Sequence, residues 1–212
     1  MKMIDLSQLI HEKMPVFPGA TRPVFQQMSL VESNGYRVAR VTMDYHAGTH
    51  IDAPAHMLSS GKTLDELPID YFAGTAVIAD FSKWPLETIP LEAIQAFSPL
   101  LEQTEYLLLK TGWSRYWGSD RYFEPYPVLS PEAAKWLTNF PLKGIGLDAI
   151  SIDRISSTDF AIHRILLASE ILIIENLTNL DAIDRERFDF FCLPLRIKDA
   201  DGSPVRASVL LR

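Results

Sequence analysis

Apolar and polar residues fall into short blocks along the chain. The stretch "YRVARVTMDYH" (36–46) puts Val38, Arg40, Thr42, Asp44 and His46 on one parity and Ala39, Val41, Met43 and Tyr45 on the other. That period of two predicts a strand with one apolar face. Four compact apolar runs bounded by Gly, Pro or charge predict buried strands: "GTAVIADF" (74–81), "YLLLKTG" (106–112), "KGIGLDAISI" (143–152) and "EILIIENL" (170–177). In the tail, "DADG" separates two strand-like runs and predicts a hairpin or a longer turn.

Helical patterns are fewer. "PLEAIQAF" (90–97) begins on Pro and spaces its apolar residues for one face. "SPEAAKWLTNF" (130–140) opens with Ser130 as N-cap, Pro131 in the first turn and Glu132 behind it. "TDFAIHRILLAS" (158–169) predicts a helix capped by Thr158 or Asp159. The aromatic stretch 113–127 has no period and reads as a long ordered loop, its rings serving packing. Strands outnumber helices and the two are interspersed, so the expected class is mixed α/β, rich in β. Nothing divides the chain, so one domain over 1–212 is expected.

Composition narrows the function. With 212 residues, 47% hydrophobic and 22% charged, the chain is that of an ordinary globular protein. A net charge of −7 argues against nucleic acid as a partner, and no apolar run suits a bilayer. The start, "MKMIDLSQLIHEKMP", has no secretory pattern, and the single cysteine, Cys192, has no internal disulfide partner, so the cytoplasm is the expected setting. Cys192 lies in an apolar run and reads as a buried, inert thiol.

Histidine is scarce and unevenly used. Of five in the chain, three fall in "HAGTHIDAPAH" (46–56), with an acid between them. Gly48 and Pro54 disfavour a helix there, so the segment reads as extended, with His46, His50 and Asp52 on one parity. Two imidazoles and a carboxylate converging on one point are ligands for Zn²⁺ or Mn²⁺. On this reading Gly48 leaves the approach to the ion unobstructed. His163, early in the third predicted helix, and Glu175, at the end of an apolar strand, are candidates to complete two ion sites bridged by Asp52. Two carboxylates against two divalent ions leave a surplus of positive charge, which favours anionic groups on a substrate. His56 is either a further ligand or an acid/base group, and its separation from Asp52 favours the latter. His11 reads as a surface residue.

The segment "HAGTHIDAPAH" matches every fixed position of His-x-Gly-Thr-His-x-Asp-x-Pro-x-His, and the chain thereby resembles the metal-dependent cyclase family that includes kynurenine formamidase. "IDLSQLIHEKMPVFPG", "LLLKTGW", "HRILLASEILIIENLTNL" and "GSPVRA" extend the resemblance over most of the chain. It implies a swivelling β/β/α domain, usually a homodimer or higher oligomer. It also implies a zinc pair held by His46, His50, Asp52, His163 and Glu175, with His56 as acid/base beside a metal-bound hydroxide. The implied substrate is a small aromatic amide such as N-formylkynurenine, bound in part by Phe17. Phe17 and Ala20 stand where the formamidase branch has tryptophan and aspartate, and Ile150 stands where relatives often have proline. Those departures bear on the substrate. The alternative is a cyclic amide (isatin-type) or lactone hydrolase, or a cyclase, with the same metal site, in some relatives with a single manganese.

Overall fold

The computed structural model describes residues 2–84 and 87–211. Among these, the strands in chain order are β1 (Lys2–Asp5), β2 (Val24–Ser29), β3 (Val38–Thr42), β4 (His50–Asp52), β5 (Ala73–Asp80), β6 (Thr88–Ile89), β7 (Tyr106–Lys110), β8 (Val128–Leu129), β9 (Gly144–Leu147), β10 (Leu172–Glu175), β11 (Arg187–Phe191), β12 (Gly202–Pro204) and β13 (Ser208–Leu211). The helices are α1 (Val31–Asn34), α2 (Leu91–Gln95), α3 (Ser98–Leu101), α4 (Pro131–Leu137) and α5 (Ala161–Ala168).

Nine strands form one sheet in the order β1-β13-β11-β5-β7-β9-β10-β4-β12. The centre, β5-β7-β9-β10, is parallel. Its strands are apolar on both faces, as parallel strands covered on both sides must be. Leu107 and Leu109 of β7 enter a core shared with α2, α4 and α5, while Tyr106 and Leu108 enter the core on the other face. That second core contains Ile4 of β1, Val209 of β13 and Ile51 of β4, from opposite ends of the strand order, so the sheet curls around it. The mixed α/β class with dominant strands is the one the sequence pattern predicts.

The four buried strands lie where the apolar runs predict them. Ser130 caps α4 as expected, its side chain accepting from the Ala133 N–H. One local expectation is corrected. The cap of α5 is neither Thr158 nor Asp159: Phe160 occupies that position with φ 50°, and the carboxylate of Asp153 accepts the N–H groups of Ile162 and His163 instead. "DADG" lies in the longer turn, closed by the antiparallel bridge between Pro194 and Val205, and leads into β12, which pairs with β4.

The 36–46 alternation is realised in β3, Val38–Thr42. Among the described residues β3 pairs with β2 alone, and every residue of it is exposed. Its apolar parity meets no core of this chain. The 113–127 loop contains two short 3₁₀ turns, and Trp113, Tyr122 and Tyr126 are buried in the helix-side core.

Candidate metal centre

Strand register brings the distant segments together. β10 pairs antiparallel with β4 so that Glu175 lies opposite His50 and Ile173 opposite Asp52. Directly opposed residues share a face, and Ile173 belongs to the helix-side core. His50, Asp52 and Glu175 therefore face the layer that carries α5, whose first turn delivers His163. On the other side of β4, Gly202 of β12 lies opposite Asp52.

Only 50–52 of the histidine-rich segment is strand. His46 arrives through a turn, in which Gly48 has φ 67°, a conformation that favours glycine. The need for Gly48 is thus set by the backbone, and a Cβ there would also press on the Ile10 side chain at 3.2 Å. His56 sits at the end of a 3₁₀ turn, Pro54–His56, rather than on extended chain. Gly202 is required by close approach: a Cβ on it would lie 2.4 Å from the His46 ring.

His50, Asp52, His163 and Glu175 are all buried, at 5% exposure or less. Burying carboxylates is costly unless something pairs with them. His50 Nε2 lies 3.3 Å from Asp52 Oδ1 and 3.5 Å from Glu175 Oε2. His163 Nε2 lies 3.4 Å from Glu175 Oε1 and 3.8 Å from Asp52 Oδ2. These separations are long for hydrogen bonds. Two donors each about 2.0–2.1 Å from a tetrahedral ion stand about 3.3–3.4 Å apart, which most of these distances match. Among the described residues Asp52 Oδ2 is buried without a hydrogen-bond partner. An orphaned carboxylate oxygen among imidazole nitrogens fits a cation.

The far nitrogens of the rings are held as metal-binding histidines require. His50 Nδ1 donates to the Gly48 carbonyl at 2.9 Å, which leaves Nε2 toward the acids. Asn176 Nδ2 donates to the same carbonyl, and Tyr122 donates to Asn176 Oδ1. His163 Nδ1 lies 2.7 Å from Asp153 Oδ2. His46 Nδ1 lies 2.7 Å from Asp52 Oδ1, and its Nε2 lies 3.1 Å from Asp201 Oδ2. His56 Nδ1 lies 3.2 Å from the same Asp201 oxygen.

Burial alone would lower the His46 and His163 pKa values, but the facing carboxylates override it. Asp201 and Asp52 raise His46 to about 10, and Asp153 and Glu175 raise His163 to about 10. Cation binding at these rings is therefore coupled to proton release. Burial likewise pushes the Cys192 thiol up to about 12, which leaves it inert.

One ligand atom each from His50, Asp52 and Glu175 lies within 4.8 Å of the others, and the same holds for His46, Asp52 and His56. The geometry thus accommodates either role for His56. Phe17 lines a cavity of about 390 Å³ over the cluster, with Met57, Ile150 and Phe160 as further apolar walls. His11 is exposed and lies outside it.

Two acids escaped the sequence reading. Asp153 ends an apolar run ten residues before His163, and Asp201 sits in the "DADG" turn. They change the charge balance: two divalent ions against Asp52, Glu175, Asp153 and Asp201 leave no formal surplus. Among the described residues no Lys or Arg lines the cavity.

Residues 4–154 match the sequence profile of the Cyclase family, described as "Putative cyclase". A kynurenine formamidase of Bacillus cytotoxicus is 34% identical over 207 residues, covering 97% of this chain and 96% of the relative. A solved structure described as a potential metal-dependent hydrolase with cyclase activity superposes with TM-score 0.81 at 27% identity, covering 98% of this chain and 96% of the other. Isatin hydrolase A from Labrenzia aggregata shares the fold, with TM-score 0.88 at 24% identity over 98% of this chain and 93% of its own. Together with the donor set, the metal-dependent relatives support a divalent metal. The chain belongs to the cyclase family and is a hydrolase.

Proposed function

We propose that the protein hydrolyses the C–N amide bond of a small aromatic substrate, with N-formylkynurenine-type formamides first, at two divalent ions, zinc or manganese. The observation that carries the proposal is that Asp52 and Glu175 each offer one oxygen toward His50 and the other toward His163. That divides the donors into two sets sharing the same two carboxylates, with His46 joining at Asp52 Oδ1. Ions held there supply Lewis-acid polarisation of a substrate carbonyl. His56, at the rim, takes a proton from the attacking water as the C–O bond forms and returns it to the leaving nitrogen as the C–N bond breaks. Phe17, Met57, Ile150 and Phe160 offer an apolar slot for an aromatic ring, Phe17 without an N–H donor. The 34% identical relative's name supports a formamide substrate.

Turnover of N-formylkynurenine and of isatin by metal-loaded protein tests the substrate. The formamide is expected to be consumed the faster. Consumption of isatin alone would favour the cyclic-amide alternative, and consumption of neither would reject the substrate.

The β2–β3 ribbon supports a homodimer. Phe25 and Val41 are directly opposed on one face at 39% and 43% exposure. A two-stranded ribbon is marginal on its own, and a second copy of the chain would cover this face. Sedimentation should find dimers for the unaltered protein and monomers for Phe25→Asp with Val41→Asp; dimers in both would reject this interface. A cytoplasmic setting is in keeping with the lone buried thiol. Among the described residues no helix is long and apolar enough to cross a membrane.

A further inference from the structure

We infer that Asp201 is a positioning residue that orients two rings at once, His46 of the metal centre and His56 of the acid/base role; the inference rests on the function proposed above. One oxygen, Oδ2, lies 3.1 Å from His46 Nε2 and 3.2 Å from His56 Nδ1. The two rings lie one over the other, with centroids 4.0 Å apart and planes tilted by 36°. A carboxylate oxygen only accepts, so both nitrogens facing it carry hydrogen. That fixes the working atoms. His56 is left with Nε2 for proton exchange, while His46 Nδ1 faces the Asp52 carboxylate at 2.7 Å, where a bound cation would take the place of its proton.

The arrangement is built into the backbone. The carbonyl of Asp201 accepts the Ala53 N–H at 2.8 Å, tying it to the residue after Asp52. The adjacent Gly202 lacks the Cβ that would strike the His46 ring. Asp201 and Gly202 together thus form a seat for that ring, and the Asp201 side chain extends the same grip to His56. A surface acid that met two histidines by chance would need neither the tie nor the missing Cβ.

The test uses zinc-loaded full-length protein with Asp201→Ala and Asp201→Asn. The first readout is ¹⁵N NMR of the imidazole nitrogens at a pH where the rings are neutral. In the unaltered protein His56 should carry hydrogen on Nδ1, and in Asp201→Ala that preference should be lost. The second readout is turnover of whichever of N-formylkynurenine and isatin the unaltered protein consumes. The expectation is a fall in kcat of about 10–100-fold for the alanine variant, a smaller fall for asparagine, which keeps one acceptor oxygen, and KM within about twofold. An unchanged His56 tautomer in Asp201→Ala, or kcat equal to that of the unaltered protein, would overturn the inference. If the unaltered protein consumes neither compound, the proposed function fails, and the NMR comparison still decides the role of Asp201.

Discussion

Asp52→Asn is expected to release the divalent metal and to lower turnover by about 10³-fold or more. The Asp52 carboxylate faces three of the rings, His46, His50 and His163, where Glu175 faces two. Its Oδ1 meets His46 and His50, and its Oδ2 is buried without a hydrogen-bond partner and faces His163. Burial would raise its pKa, but His50 and His46 hold the carboxyl well below the usual carboxylate range, so the group is anionic at neutral pH. Asparagine keeps the shape and removes the charge. The amide can offer one oxygen, and its NH₂ group would point at an imidazole nitrogen or an ion. Elemental analysis beside steady-state turnover checks this. Full metal content with full turnover would show that Asp52 is a structural acid.

His56→Ala has the second largest expected effect, a fall in kcat of about 10²–10⁴-fold with metal content unchanged. The geometry alone does not separate its two roles, since His56 also offers a nitrogen within 4.8 Å of His46 and Asp52 ligand atoms. The variant does. An acid/base group leaves the ions in place when removed, whereas a ligand takes metal with it. His56 is a quarter exposed, as is His46, unlike the nearly fully buried His50 and His163. That position suits a group that must exchange protons with substrate and solvent.

What the sequence revealed divides by the range of the interactions involved. The cap of α4 is local: Ser130 bonds three residues on, and its signal lies in adjacent letters. The cap of α5 is not local, because Asp153 reaches its first turn across a loop, and Thr158 and Asp159 were the wrong near neighbours. Apolar runs marked the parallel strands because both faces are buried. Alternation in 36–46 marked a strand with one apolar face but not what covers that face, since β3 and β2 are exposed. Around the candidate centre, the spacing of His46, His50, Asp52 and His56 sufficed to single them out. The meeting of Glu175 with His50 depends on a cross-strand register over more than a hundred residues, which no local pattern encodes. Asp153 and Asp201 were missed for the same reason: each acts on a ring through the fold, from a stretch that reads as strand end or turn.

Anomalous diffraction from zinc-loaded crystals is the most direct test of the proposed centre. Two peaks about 3.5–4 Å apart, lying between Asp52 and Glu175 with His46, His50 and His163 at coordinating distance, are the predicted result. Absence of any peak among these five side chains in zinc-replete crystals would contradict the account.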